Sequence, residues 1–179
     1  MPVSLLADQL QAYAQEKRLS EQTLRRWQSW SAEDQAALLT MVQELQLGEN
    51  HLRDFCDWLD DIIARDGGTV SALLLRSELQ HPLGLKLSRN DKVKAVKAAL
   101  RKLRYPRLSQ LEEDLRAAIK ALDLGERVRV SFPPALEGDE MTVEIKARNV
   151  RELERSLLQM QRKLRDGSMQ HVFALLDEV

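Results

Sequence analysis

The sequence predicts a mostly α-helical protein of the α+β kind. An N-terminal multi-helix region is followed by a C-terminal α-β-β-α unit with a two-stranded antiparallel hairpin. Three observations predict this. The 179 residues hold only seven glycines and five prolines, and aromatics make up 4%. A mix rich in Leu, Ala, Gln, Glu and Arg favours helices. Apolar residues recur three and four apart through most of the chain, the spacing of one helix face. Only 127–132 and 141–147 alternate polar and apolar, the period of a strand. Large β-sandwiches, barrels and collagen-like folds are excluded. The expected division is a helical domain over 1–107, of about six helices, and a dimerisation-like domain over 108–179.

Leu5, Leu6, Leu10 and Tyr13 predict a helix over 5–17. Ser20 precedes a second over 21–29, carrying Leu24 and Trp27. Ser31 opens S-A-E-D, and a Ser followed three residues later by an acid caps a helix N-terminus. That third helix runs over 32–46, with Leu38, Leu39, Val42 and Leu45 on one side. Gly48 is expected to stop it by taking a left-handed backbone. Asn50 reads as the cap of a fourth helix over 51–65. Its apolar stripe is Leu52, Phe55, Trp58, Leu59 and Ile62, with Cys56 beside it and Asp57, Asp60 and Asp61 on a solvated side. Gly67-Gly68 ends it. Thr69 caps a fifth helix over 70–80, which His81-Pro82 ends because the residue before proline avoids helical angles.

Ser88 with Asp91 caps a helix over 89–104, with Val93, Val96, Leu100 and Leu103 on one face and Pro106 as terminator. Ser109 with Glu112 reads as a capping box for a helix over 110–122. The two alternating stretches flank a turn containing Gly138, and Pro133-Pro134 stops the first. An isolated hairpin is marginal in water, so it must lean on helices or pair with another hairpin. The last long helix spans 150–165. Its Val150, Leu153, Leu157, Met160 and Leu164 are spaced 3, 4, 3 and 4 apart, a heptad-like seam. Gly167 ends it, and MQHVFALLDEV is expected to form a short terminal helix.

The net charge of -1 conceals an asymmetry. Residues 1–85 carry 7 basic and 13 acidic side chains, 86–129 carry 13 and 6, and 130–179 carry 7 and 9. Within 86–107 nine bases stand against Asp91 alone: Lys86, Arg89, Lys92, Lys94, Lys97, Arg101, Lys102, Arg104 and Arg107. Clustered cations suit phosphates, because each neutralised phosphate releases counterions. At 100° per residue, Lys94, Lys97, Arg101 and Arg104 fall within about 80° of one another, on the face expected to oppose the apolar one. The competing reading is a solvated face, or an intramolecular partner for the acidic first half. Tyr105 either stacks on a base or packs a helix end. LSEQTLRRWQSW offers a recognition helix with Arg25 and Arg26 exposed, or a packing helix anchored by Trp27 and Trp30; the acidic surroundings favour packing.

One cysteine, Cys56, excludes an internal disulfide framework and a Cys-rich metal site. Set among apolar positions, it is expected to be buried and inert. His51, His81 and His171 are dispersed, and no P-loop, G-x-S-x-G or H-E-x-x-H occurs. No enzyme, cofactor or metal site is therefore expected. The longest apolar run is four or five residues, too short to span a membrane. The N-terminus lacks the pattern of a signal peptide. The expected location is cytoplasmic.

The segments LSEQTLRRWQSWSAEDQAALL, LGENHLRDFCDWLDDIIARDG, KLSRNDKVKAVKAALRKLRYPRLSQLEEDL and FPPALEGDEMTVEIKARNVRELERSL together resemble the C-terminal half of ParB-like partition proteins. More specifically they resemble bacterial ParB-like nuclease-domain proteins in which a helical region with an R-Y-P element, here Arg104-Tyr105-Pro106, follows the N-terminal domain. The likeness covers most of residues 20–165. It implies a helix-strand-strand-helix C-terminal piece that dimerises through its sheet and last helix. Val143, Ile145, Leu153, Leu157, Met160 and Leu164 would lie at that interface. It also implies a role in chromosome or plasmid partition with DNA as partner. The family's G-[EF]-R-R-type phosphate motif has no counterpart: Gly48-Glu49 is followed by Asn50-His51. Nucleotide hydrolysis and nuclease activity are therefore not carried over. The expected function is a non-enzymatic, homodimeric DNA-binding accessory module that meets phosphates through 89–107. The alternative is a protein-interaction scaffold whose acidic helices recruit a protein partner, without nucleic acid.

Overall fold

The computed structural model describes residues 3–138 and 140–177. The protein is mostly helical, with a small antiparallel hairpin in its C-terminal part followed by helices. Among the described residues no helix is long and apolar enough to cross a membrane. Two compact units divide the chain, Met1–Tyr105 and Pro106–Val179.

The first unit holds α1 (Val3–Lys17), α2 (Glu21–Gln28), α3 (Ala32–Leu45), α4 (Glu49–Asp66), α5 (Val70–Leu74), α6 (Ser77–Gly84) and α7 (Arg89–Arg104). Side-chain oxygens start four of these helices. Ser20, Ser31, Thr69 and Ser88 each accept the backbone N–H three residues on, so α2, α3, α5 and α7 begin at the capping residues the sequence marks. The carboxylate of Glu49 accepts from the Ser20 backbone and hydroxyl and from the Thr23 hydroxyl, which ties the start of α4 to the start of α2. The core gathers Leu10, Trp27, Leu38, Leu52, Phe55, Leu59, Val96 and Leu100 from α1, α2, α3, α4 and α7.

Four boundaries differ from expectation. Gly48 does not stop α3; it is extended and precedes α4. Gln46 takes the left-handed turn instead, at φ 51°. Its side chain is held by Lys17 and by the Gln43 carbonyl, which fixes the strained residue in place. Asn50 consequently lies inside α4 rather than capping it, and Gly48 caps without a side chain. The single helix expected over 70–80 is two, broken at Leu75-Arg76, and Pro82 sits inside α6 rather than ending a helix. The Gln80 side chain donates to the Leu74 carbonyl and satisfies the end of α5. Proline in the last turns of a short helix removes one N–H only.

The second unit holds α8 (Pro106–Ala121), β1 (Val128–Ser131), β2 (Thr142–Ile145), α9 (Val150–Arg165) and α10 (Ser168–Leu176). The fourth difference is here. Pro106 does not only end α7; it opens α8, and Ser109 is buried inside that helix instead of capping it. Proline is preorganised for the first helical position and needs no partner for its nitrogen. The hairpin pairs Val128 with Ile145 and Val130 with Val143. These four face the unit's own core of Leu115, Leu122, Leu124, Met169, Val172 and Leu176. The loop between the strands includes Asp139, and the terminal segment includes Glu178 and Val179; these lie outside the described residues.

Candidate nucleic-acid interface

The basic helix α7 forms over the expected span and buries Val93, Val96 and Leu100. Its cations do not sit on an open opposite face. The same 100° arithmetic puts the centre of Lys94, Lys97, Arg101 and Arg104 only about 100° from the apolar centre, on its flank. Long cationic stems on a flank lie along the neighbouring helix and keep their heads at its edge. That neighbour is α4. Lys97 Nζ reaches Asp54 Oδ2 at 2.6 Å, and Arg104 reaches Asp61 at 2.5 Å. Lys92 pairs with Glu44 of α3 at 2.8 Å. The ring of Trp58 lies beneath both Lys97 (5.3 Å) and Arg104 (5.8 Å). In return, Arg65 of α4 donates to the Leu103 and Arg104 carbonyls at the C-terminus of α7, where a cation is favoured.

Part of the basic cluster is thus bound within the first unit. Lys92, Lys97, Arg101 and Arg104 are half-buried, and Arg101 and Lys102 have partners of their own. Lys86, Arg89, Lys94, Lys102 and Arg107 are exposed, with Lys94 loosely held by Asp91 at 3.7 Å. Arg89, Lys94 and Lys97 edge an open groove of about 450 Å³ with His51 of α4. Tyr105 is exposed under the Arg104 guanidinium, 4.8 Å from its ring centre.

The acids of α4 are not simply solvated either. Arg26 of α2 lies between Asp57 and Asp60, and Trp30 Nε1 donates to Asp60 at 2.9 Å. Arg26 is therefore not available as an exposed recognition residue, and Trp27 is wholly buried. Only Arg25 of that pair is exposed, and it pairs with Glu21. Cys56 is fully buried, and burial pushes its thiol up to about 12. It stays protonated and unreactive at neutral pH. Among the described residues no three His, Cys, Asp or Glu side chains gather as a metal set.

The seam residues of α9 divide. Met160 is half-buried against the unit's own core, as are Val143 and Ile145 of β2. Leu153, Leu157 and Leu164 are exposed, joined by Leu158 and by Val150 at 70%. Ser156 is the buried residue of α9. These leucines do not belong to the core of the unit that carries them. Leu157, Leu158 and Leu164 edge an apolar groove of about 600 Å³ along α9.

One feature escapes a reading based on apolar spacing. Arg151, Arg155 and Arg162 fall within about 40° on α9, and all three are exposed. The charges of 130–179 sum to -2, which hides this row; a helical projection of the cations alone reveals it. Comparison with family models, with curated proteins and with solved structures finds no match for the chain.

Proposed function

We propose that the protein is a non-enzymatic, homodimeric ParB-like accessory module that contacts DNA phosphates, acting in chromosome or plasmid partition. The observation that carries the reading is the exposed leucine row of α9. A helix that shows Leu153, Leu157 and Leu164 to solvent at heptad spacing fits association with a second helix of the same kind. The order α8-β1-β2-α9 supports it, since it matches the helix-strand-strand-helix piece the resemblance implies. The exposed Lys86, Arg89, Lys94, Lys102 and Arg107 supply cations for a backbone contact without base reading.

A second reading has its own observation. Lys92, Lys97 and Arg104 are engaged by Glu44, Asp54 and Asp61, as a structural role for the basic helix requires. On that reading the chain is a protein-interaction scaffold without nucleic acid. Binding of a random-sequence duplex, measured by fluorescence anisotropy at low and near-physiological salt, separates the two. The first reading predicts binding that weakens steeply as salt rises. Absent or salt-insensitive binding overturns it in favour of the second.

A further inference from the structure

We propose that the arginine row of α9, Arg151, Arg155 and Arg162, is a phosphate-contact surface for duplex DNA. The proposal rests on the reading that the protein binds DNA. It moves the principal contact from the basic segment to a helix on which the charge balance of the chain draws no attention.

The row is available. Lys92, Lys97 and Arg104 of α7 pair with acids of α3 and α4. Arg151, Arg155, Arg162 and the adjacent Arg165 make no ion pair or side-chain hydrogen bond among the described residues. Two of the nearby acids are engaged by other groups, although Glu152 also feels the charge of Arg155 and Asp123 lines the same groove as the row. Glu152 binds Arg127 and the Arg148 backbone N–H, and Asp166 binds the Ser168 N–H and Lys163. The hydrogen bond from the Arg148 backbone, first of all, holds Glu152 below the usual carboxylate range.

The row also has a suitable reach. At 1.5 Å rise per residue, the three guanidinium stems leave the axis about 6 and about 10 Å apart. That spread suits separate phosphates rather than one anion. Arg155 and Arg162 also line an open groove of about 410 Å³ with Lys163, Leu158, Asp123 and Asp166. Guanidinium groups match phosphate oxygens bidentately, which an ammonium does not.

Dimerisation leaves the row open. In projection the leucine row lies on one flank of α9 and the arginine row on the other, with the buried Ser156 between them on the inner side. A partner helix centred on Leu153, Leu157 and Leu164 lies nearly opposite the arginines and does not cover them, although the exposed Leu158 stands beside the row.

The test uses the full chain and a random-sequence duplex. The variant Arg151→Gln, Arg155→Gln, Arg162→Gln is compared with Lys86→Gln, Arg89→Gln, Lys94→Gln. The expected result is that the α9 variant weakens binding about tenfold or more and lowers the slope of log affinity against log salt by about 2 to 3. The other variant is expected to change both by less. Unchanged affinity and slope in the α9 variant, while the wild type binds, overturn this proposal and leave the DNA reading standing. A wild type that does not bind overturns both. If the triple variant loses helix content by circular dichroism, the single Arg155→Gln and Arg162→Gln variants replace it. Each is expected to lower the slope by about 1, and an unchanged slope in both overturns the proposal.

Discussion

Asp34 joins two helices of the first unit through one carboxylate. It is 8% exposed and accepts the Ser71 N–H at 2.7 Å, which ties α3 to the start of α5. Burial opposes its ionisation, yet hydrogen bonds from the Ser71 and Val70 backbone and the Ser31 and Ser71 side chains hold its carboxyl below the usual range. Glu49 behaves alike: burial is outweighed by hydrogen bonds from Ser20 and Thr23. A carboxyl depressed in the folded state adds stability above its unfolded pKa and loses it as pH falls through the folded one. Stability is therefore expected to decline below about pH 4, and Asp34→Asn to flatten that acid limb in urea titrations. Asp34→Ala leaves the Ser71 N–H unpaired and is expected to cost about 1–3 kcal/mol by the same measurement. The capping serines of α2, α3 and α7 and the buried Cys56 are legible in the sequence because their roles are local. The Asp34–Ser71 bond is not, since it joins residues 37 apart.

At the scale of elements, α7 and α9 are legible to the residue, because apolar helical spacing meets a stop signal in each, Pro106 and Gly167, and Ser88 marks the start of α7. The start of α8 is not. Two local signals compete, Pro106 and the Ser109–Glu112 pair, and the proline wins because it preorganises the first turn. This has a direct consequence. Ser88→Ala is expected to cost about 1 kcal/mol, whereas Ser109→Ala, which removes no cap, is expected to cost less; chemical denaturation of the two variants decides it. The partners of the basic helix are also beyond the sequence. A projection shows which residues flank the apolar stripe, but which helix lies alongside depends on the packing of α4, α3 and α7. Packing also sets the cost of truncating α4. Leu59→Ala, at a wholly buried position, is expected to cost about 2–5 kcal/mol in denaturant unfolding.

The whole molecule comprises two units, each with its own core. The helical character and the hairpin follow from periodicity, which changes from helical spacing to alternation at Arg127. Periodicity leaves open whether the heptad-like row of α9 is core or interface, since both demand the same spacing. Exposure divides the row: Leu153, Leu157 and Leu164 are not monomer core, whereas Met160 packs against it. The proposed dimer requires that a second α9 cover these leucines in solution. Sedimentation equilibrium of the wild type and of the Leu157→Glu, Leu164→Glu variant tests this most directly. The wild type is expected at twice the chain mass of 20.5 kDa, and the variant, still helical, at one chain mass. A monomeric wild type, or a variant that stays dimeric, would contradict the proposed dimer.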